Sequence, residues 1–166
     1  MLHLLLLGWV LLGPSPALRA AVAPSAYRET VEPNDNRRPA GTRSGSLLTV
    51  TLEARTGMWY PEGPSGRGLE VAAWAEPGKP LQTPGPLIRA ASGTVVRATL
   101  RNSLARRLYV FGFGARRGGA DSVIIEPGAE KEVQFTAGAP GTYYYMARGA
   151  TDPAIGLSMV PNVATS

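Results

Sequence analysis

The chain contains no cysteine, and its single histidine, His3, lies in an apolar leader. Disulfides are therefore excluded, and with them the usual staple of small secreted domains. Metal chemistry narrows as sharply. Zinc and copper sites draw on imidazole and thiolate, with thioether as a weak extra ligand, and beyond the leader the first two are missing. General acid–base catalysis loses its commonest agent, and hydroxyl nucleophiles have no imidazole to activate them. Lysine is scarce as well: of 17 basic residues only Lys79 and Lys131 are lysine, and neither context suggests the burial a lysine base needs. The carboxylates Asp121, Glu126, Glu130, Glu132 and Asp152 remain. Glu130 and Glu132 fall on the outward positions of a strand pattern and Glu126 on a turn, so they read as solvated charge. Neither a catalytic nor a cofactor-binding residue emerges from this inventory.

One long apolar run is present, Leu2 to Leu12, broken only by His3 and Gly8. It is shorter than the roughly 20 apolar residues that span a bilayer. Pro14 and Pro16 stop it, and the small-residue pairs Ser15/Ala17 and Ala21/Ala23 follow. The pattern predicts a secretory signal over residues 1–23, without a basic n-region, and hence an exported protein of the bacterial periplasm or extracellular space. No other segment predicts a membrane crossing. Residues 24–46 are rich in Pro, Asn, Arg, Gly and Ser and predict a mobile linker. Within it Asn34, Asp35 and Asn36 resemble a calcium loop only faintly, lacking the downstream glycine and bidentate glutamate. The net charge of +5 comes from scattered arginines, with the pairs Arg37–Arg38, Arg106–Arg107 and Arg116–Arg117 in expected loops. A nucleic-acid surface would need them clustered with stacking aromatics, so no nucleic-acid partner is expected.

Helical stripes are absent, because 20 glycines and 15 prolines punctuate the chain every few residues. Period-two alternation is present instead. In SLLTVTLEA, Leu48, Val50, Leu52 and Ala54 share one face, while Thr49, Thr51 and Glu53 take the other. In TVVRATLRN, Val96, Ala98 and Leu100 alternate with Arg97, Thr99 and Arg101. LEVAAWAE, PLIRAA, LYVFGF, DSVIIEP, EKEVQFTA (Val133 and Phe135 inward), TYYYMA and LSMV complete the expected strands. About eight or nine short strands joined by Pro/Gly turns predict an all-β Greek-key sandwich or barrel. Tyr143 and Tyr145 share a face under this alternation, the arrangement a stacking platform for a sugar or a base needs. GFGARRGG lacks the following helix that an anion-binding loop needs.

Three ordered blocks then point to a family. PGPLIRAASGTVVRATLRNSL, EPGAEKEVQFTAGAPGTYYYMAR and LTVTLEARTGMWYPEGPSGRG resemble the first cupredoxin (plastocyanin-like) domain of multicopper oxidases, the laccases and their relatives. The resemblance covers residues 47–161, leaving 162–166 as a tail, and implies a cupredoxin-like β-sandwich. It also implies where copper ligands would stand. The family's His-Trp-His-Gly motif aligns with Phe111, Gly112, Phe113 and Gly114, and its Tyr-His-Ser-His motif with Tyr145, Met146, Ala147 and Arg148. Phe111, Phe113, Met146 and Arg148 thus occupy the positions of four imidazoles that hold part of a dioxygen-reducing copper cluster. No counterpart of the Cys-His pair of the family's later domain is found.

The resemblance with its ligands replaced implies a domain without copper or catalysis, acting as a binding or assembly module. The expected patch is an apolar plug of Phe111, Phe113 and Met146, taking a protein partner or a second copy of the chain. Two alternatives stand beside this: a remnant or fragment of a copper-dependent oxidase, and a copper(I) carrier using Met58, Met146 and Met159. Fold alone does not confer the family's function.

Overall fold

A computed structural model of the chain describes residues 29–113, 122–149 and 157–158 and shows no helix among them. Its strands are β1 (Glu32–Pro33), β2 (Thr42–Ser44), β3 (Leu47–Trp59), β4 (Leu69–Ala75), β5 (Gln82–Thr83), β6 (Val95–Asn102), β7 (Leu108–Phe111), β8 (Val123–Ile125), β9 (Glu130–Thr136), β10 (Met146–Gly149) and β11 (Leu157–Ser158). The expected signal over 1–23, residues 24–28 and the tail at 162–166 lie outside the described residues. No helix among those described is long and apolar enough to cross a membrane.

Two sheets form the sandwich. A seven-stranded sheet runs β1-β5-β4-β3-β6-β9, with β2 added on β3, and a four-stranded sheet runs β11-β10-β7-β8. The alternation read from the sequence sets both inner faces. Leu48, Val50, Leu52 and Ala54 of β3 are buried, as are Val96, Ala98 and Leu100 of β6. These two strands pair in parallel, from Leu47 opposite Val95 to Leu52 opposite Leu100, which stacks the two apolar rows side by side. Leu108, Val110, Ile125 and Ala147 close the core from the four-stranded sheet. Each large aliphatic side chain so buried contributes about 1.5–3 kcal/mol. Outward, β6 and β9 carry a charged ladder: Arg101 pairs with Glu130 at 2.9 Å and Arg97 with Glu132 at 3.7 Å.

The mobile linker expected over 24–46 does not hold for residues 29–46. Glu32 and Pro33 pair in parallel with β5, Thr30 and Pro39 bridge to Met58 and Leu87, and β2 pairs with β3. Composition misled here because it counts only side-chain burial. This segment is ordered by its backbone, with Val31 N donating to Met58 O at 2.8 Å and Ala40 N to Leu87 O at 2.6 Å, and by two small anchors, Val31 and Ala40, in the core. Gly57 makes the crossing possible, since a Cβ there would lie 2.8 Å from Glu29 O and 2.9 Å from Val31 Cγ2. Asn34, Asp35 and Asn36 form no ion loop. Asn34 Oδ1 accepts from Asn36 N at 3.0 Å and Asp35 Oδ1 from Arg37 N at 3.0 Å, the local turn bonding these residues favour.

Glu29 is the polar anchor of the same segment. Arg55 donates to both of its oxygens, at 3.0 and 2.8 Å, and to Glu53 at 2.9 Å, while Leu81 N donates to Glu29 at 3.0 Å. The Arg55 hydrogen bonds hold the Glu29 carboxyl below its usual range. Glu53 is lowered first by the hydroxyl of Ser103, which donates to it, and then by Arg55.

Two expected strands differ. PLIRAA forms only the bridge at Leu87, with Leu87 and Ile88 buried in a Pro-bounded approach to β6. In TYYYMA the strand starts only at Met146, and Tyr145 just before it is buried in the core.

Candidate functional site

The four positions singled out by sequence lie on β7, β10 and the turn after β7. Those strands are antiparallel, with Met146 opposite Phe111, Ala147 opposite Val110, Arg148 opposite Tyr109 and Gly149 opposite Leu108. Side chains of a strand alternate between faces, so Val110 and Ala147 point inward and are buried. Tyr109, Phe111, Met146 and Arg148 point outward. Phe111 and Met146 are half-buried as a direct cross-strand pair, and Arg148 is exposed. The Arg148 guanidinium carbon stands 5.3 Å from the centre of the Phe111 ring, a cation–π arrangement.

Phe113 does not join them. The expected plug of Phe111, Phe113 and Met146 is divided by Gly112, whose φ of 92° turns the chain inward. A side chain at Gly112 would clash, as its Cβ would fall 2.4 Å from Tyr144 O and 2.8 Å from Tyr145 Cα. Past this turn Phe113 is 2% exposed. Its ring lies 5.1 Å from that of Tyr145 and 6.4 Å edge-on from that of Phe135. Tyr145 packs edge-on against Trp74 at 6.3 Å, and its hydroxyl donates to Pro86 O at 2.9 Å. Burial pushes the Tyr145 phenol far up, so it remains a neutral donor. Position 113 is thus core, and positions 111, 146 and 148 are surface.

The tyrosine platform dissolves for the same reason: Tyr145 is buried, Tyr143 bonds to Ala139 O at 2.8 Å, and Tyr144 is the exposed ring. Sequence reasoning overlooked two residues on the outer face, Tyr109 opposite Arg148 and Ile124 of β8 opposite Tyr109. Ile124 is 45% exposed. The period-two reading of LYVF and VII contained both. At one end of the face Arg107 pairs with Glu126 at 2.7 Å, which raises the guanidinium's affinity for its proton.

As a donor set for copper these positions offer one thioether, two benzyl rings and a guanidinium. The guanidinium is permanently protonated and repels a cation, and thioether alone is a weak ligand. The set does not fit the group. Among the described residues no three His, Cys, Asp or Glu side chains gather as a metal site. Met58 belongs to β3 and Met146 to β10, in different sheets, and Met159 lies outside the described residues, as do Gly114 to Gly119 and Asp121.

Similarity to solved structures agrees with this architecture. The chain is similar to a multicopper oxidase from Pediococcus acidilactici, at 18% identity and TM-score 0.60 over 86% of this chain and 33% of that one. It is similar to a copper nitrite reductase from Nitrosomonas europaea, at 29% identity and TM-score 0.55 over 72% of this chain and 42% of that one. A multicopper oxidase from Campylobacter jejuni, described as a metallo-oxidase, is similar at 17% identity and TM-score 0.54 over 76% of this chain and 29% of that one. The chain spans less than half the length of each. No protein-family model and no curated protein matches it. The described residues carry the all-β, cupredoxin-like fold that these copper enzymes share.

Proposed function

We propose that this chain is an exported cupredoxin-like module that binds or assembles with another protein and performs no copper chemistry of its own. The observation that carries the reading is the donor set at the four family positions. Phe113 is sealed in the core, Arg148 stands over Phe111, and Met146 alone brings a metal-binding atom. Export rests on the sequence of the leader and on the apolar run being too short to anchor. The direct test is to load the purified full chain with copper, desalt it, and follow dioxygen uptake with an added electron donor. Uptake equal to that of desalted buffer is expected, and sustained, protein-dependent uptake would overturn the reading.

A second reading has one observation in its favour, the limited share of each copper enzyme that the chain spans. In it the chain is the first-domain portion of a copper-dependent oxidase whose remaining copper ligands lie elsewhere. Mass spectrometry of the native gene product separates the two. A product no longer than 166 residues supports the module, and a much longer one supports the oxidase.

A further inference from the structure

We propose that the outer face of the four-stranded sheet docks an acidic protein surface, with Phe111, Met146 and Ile124 as apolar anchors and Arg148 as the cation that pairs with a partner carboxylate. The inference rests on the reading of the chain as a binding module and names the chemistry of its partner.

The two sheets treat their outward faces differently. On β6 and β9 the outward residues neutralise one another, Arg97 with Glu132 and Arg101 with Glu130. On β7, β8 and β10 they are Tyr109, Phe111, Ile124, Met146 and Arg148. Aromatic residues, methionine and arginine are the types enriched at protein interfaces, and tyrosine and arginine recur among the residues that dominate binding.

Charge chooses the occupant. Arg148 contacts the Phe111 ring and has no carboxylate partner among the described residues. Its planar N–H fork is therefore available for a bidentate carboxylate. The nearby acid, Glu126, is already held by Arg107. Among the described residues this face carries an unpaired cation and no unpaired carboxylate, so it is poorly suited to itself. A two-fold dimer places the same patch on both sides, so the second copy brings Arg148 no unpaired carboxylate from the described residues of this face, in a chain that carries +5 overall. A partner that brings carboxylates around an apolar centre satisfies both parts of the surface.

The test uses the full chain as bait for a displayed library of randomised linear peptides, with the Arg148→Glu chain as counter-bait. Arg148 is exposed, so this variant is expected to keep the parent's circular dichroism and melting temperature. Recovered peptides are expected to combine Asp or Glu with aromatic or aliphatic residues. They should lose about tenfold or more in affinity on Arg148→Glu and on Phe111→Ser, and weaken as salt is raised. Phe111→Ser keeps the proposal falsifiable should the charge reversal disturb the sheet. Recovery of neutral or basic peptides, indifference to both substitutions, or recovery of nothing would overturn the proposal. So would concentration-dependent self-association lost on Arg148→Glu, or binding through this face to phosphatidylglycerol vesicles. None of these outcomes bears on copper, so failure here leaves the wider reading to its own assays.

Discussion

Phe111 and Phe113 stand two residues apart, are chemically identical, and match two ligand positions of one motif, yet the structure gives them opposite fates. Truncating each to alanine therefore makes a controlled comparison. Phe113 is 2% exposed and touches the rings of Tyr145 and Phe135. Core Phe→Ala changes cost about 3–5 kcal/mol, because burial is lost and a cavity remains; ring–ring contacts worth about 0.5–1.5 kcal/mol each lie within that figure. Phe111 is half-buried on the outer face and holds one exposed cation–π contact, worth about 0.5–1 kcal/mol. Adding about half of a full burial contribution, about 1–2.5 kcal/mol is expected for Phe111→Ala. The midpoints of the two ranges differ by about 2 kcal/mol, a large share of a domain stability of about 5–15 kcal/mol. Urea unfolding followed by tryptophan fluorescence reads this as a much lower midpoint for Phe113→Ala at unchanged m-value. Equal costs, or a larger cost at Phe111, would refute the placement of the two rings and the face built on it.

Other predictions follow from named contacts. Asn102 is fully buried, donates from Nδ2 to Arg106 O at 2.8 Å and Ile125 O at 3.0 Å, and accepts from Leu104 N at 3.0 Å. Asn102→Ala should cost about 3 kcal/mol, near 1 kcal/mol per lost bond, measured by calorimetry. Gly112→Ala combines a positive φ with a Cβ 2.4 Å from Tyr144 O. It should destabilise by more than the roughly 1–3 kcal/mol of strained backbone alone, visible as a lower melting temperature. Glu29 and Glu53 have folded-state pKa values below the ordinary 4.5. Their contribution is therefore complete above that value and is lost as pH falls through the lower folded values. Urea midpoints should drop as pH falls below the ordinary carboxyl value of 4.5, and Arg55→Met should flatten that drop; an unchanged slope would exclude the network as its source.

Much of this fold could be read from the chain. The rows Leu48/Val50/Leu52/Ala54 and Val96/Ala98/Leu100 were sufficient to place the core, because period-two burial is a local property. Residues 29–46 were not readable, since a segment held by backbone pairing to β3 and β5 leaves little trace in side-chain type. At the site, the motif resemblance found the four positions but grouped Phe113 with Phe111. Alternation alone puts positions 111 and 113 on one face, and only the conformation of Gly112, set by contact with Tyr144 and Tyr145, separates them. Tyr109 and Ile124 were legible as outward positions but had no motif to draw attention to them. Arg148 was recognised as unfit for a metal, whereas its place over the Phe111 ring depends on the β7–β10 register, which no local pattern encodes.

The sharpest single measurement is elemental analysis of the purified chain with the leader over 1–23 removed, and with it His3, after incubation with copper under reducing and oxidising conditions and exhaustive desalting. With one thioether and no imidazole or thiolate at the matched positions, retained copper should be well below one ion per chain. Stoichiometric copper that survives desalting, and is lost on Met146→Leu, would contradict the account.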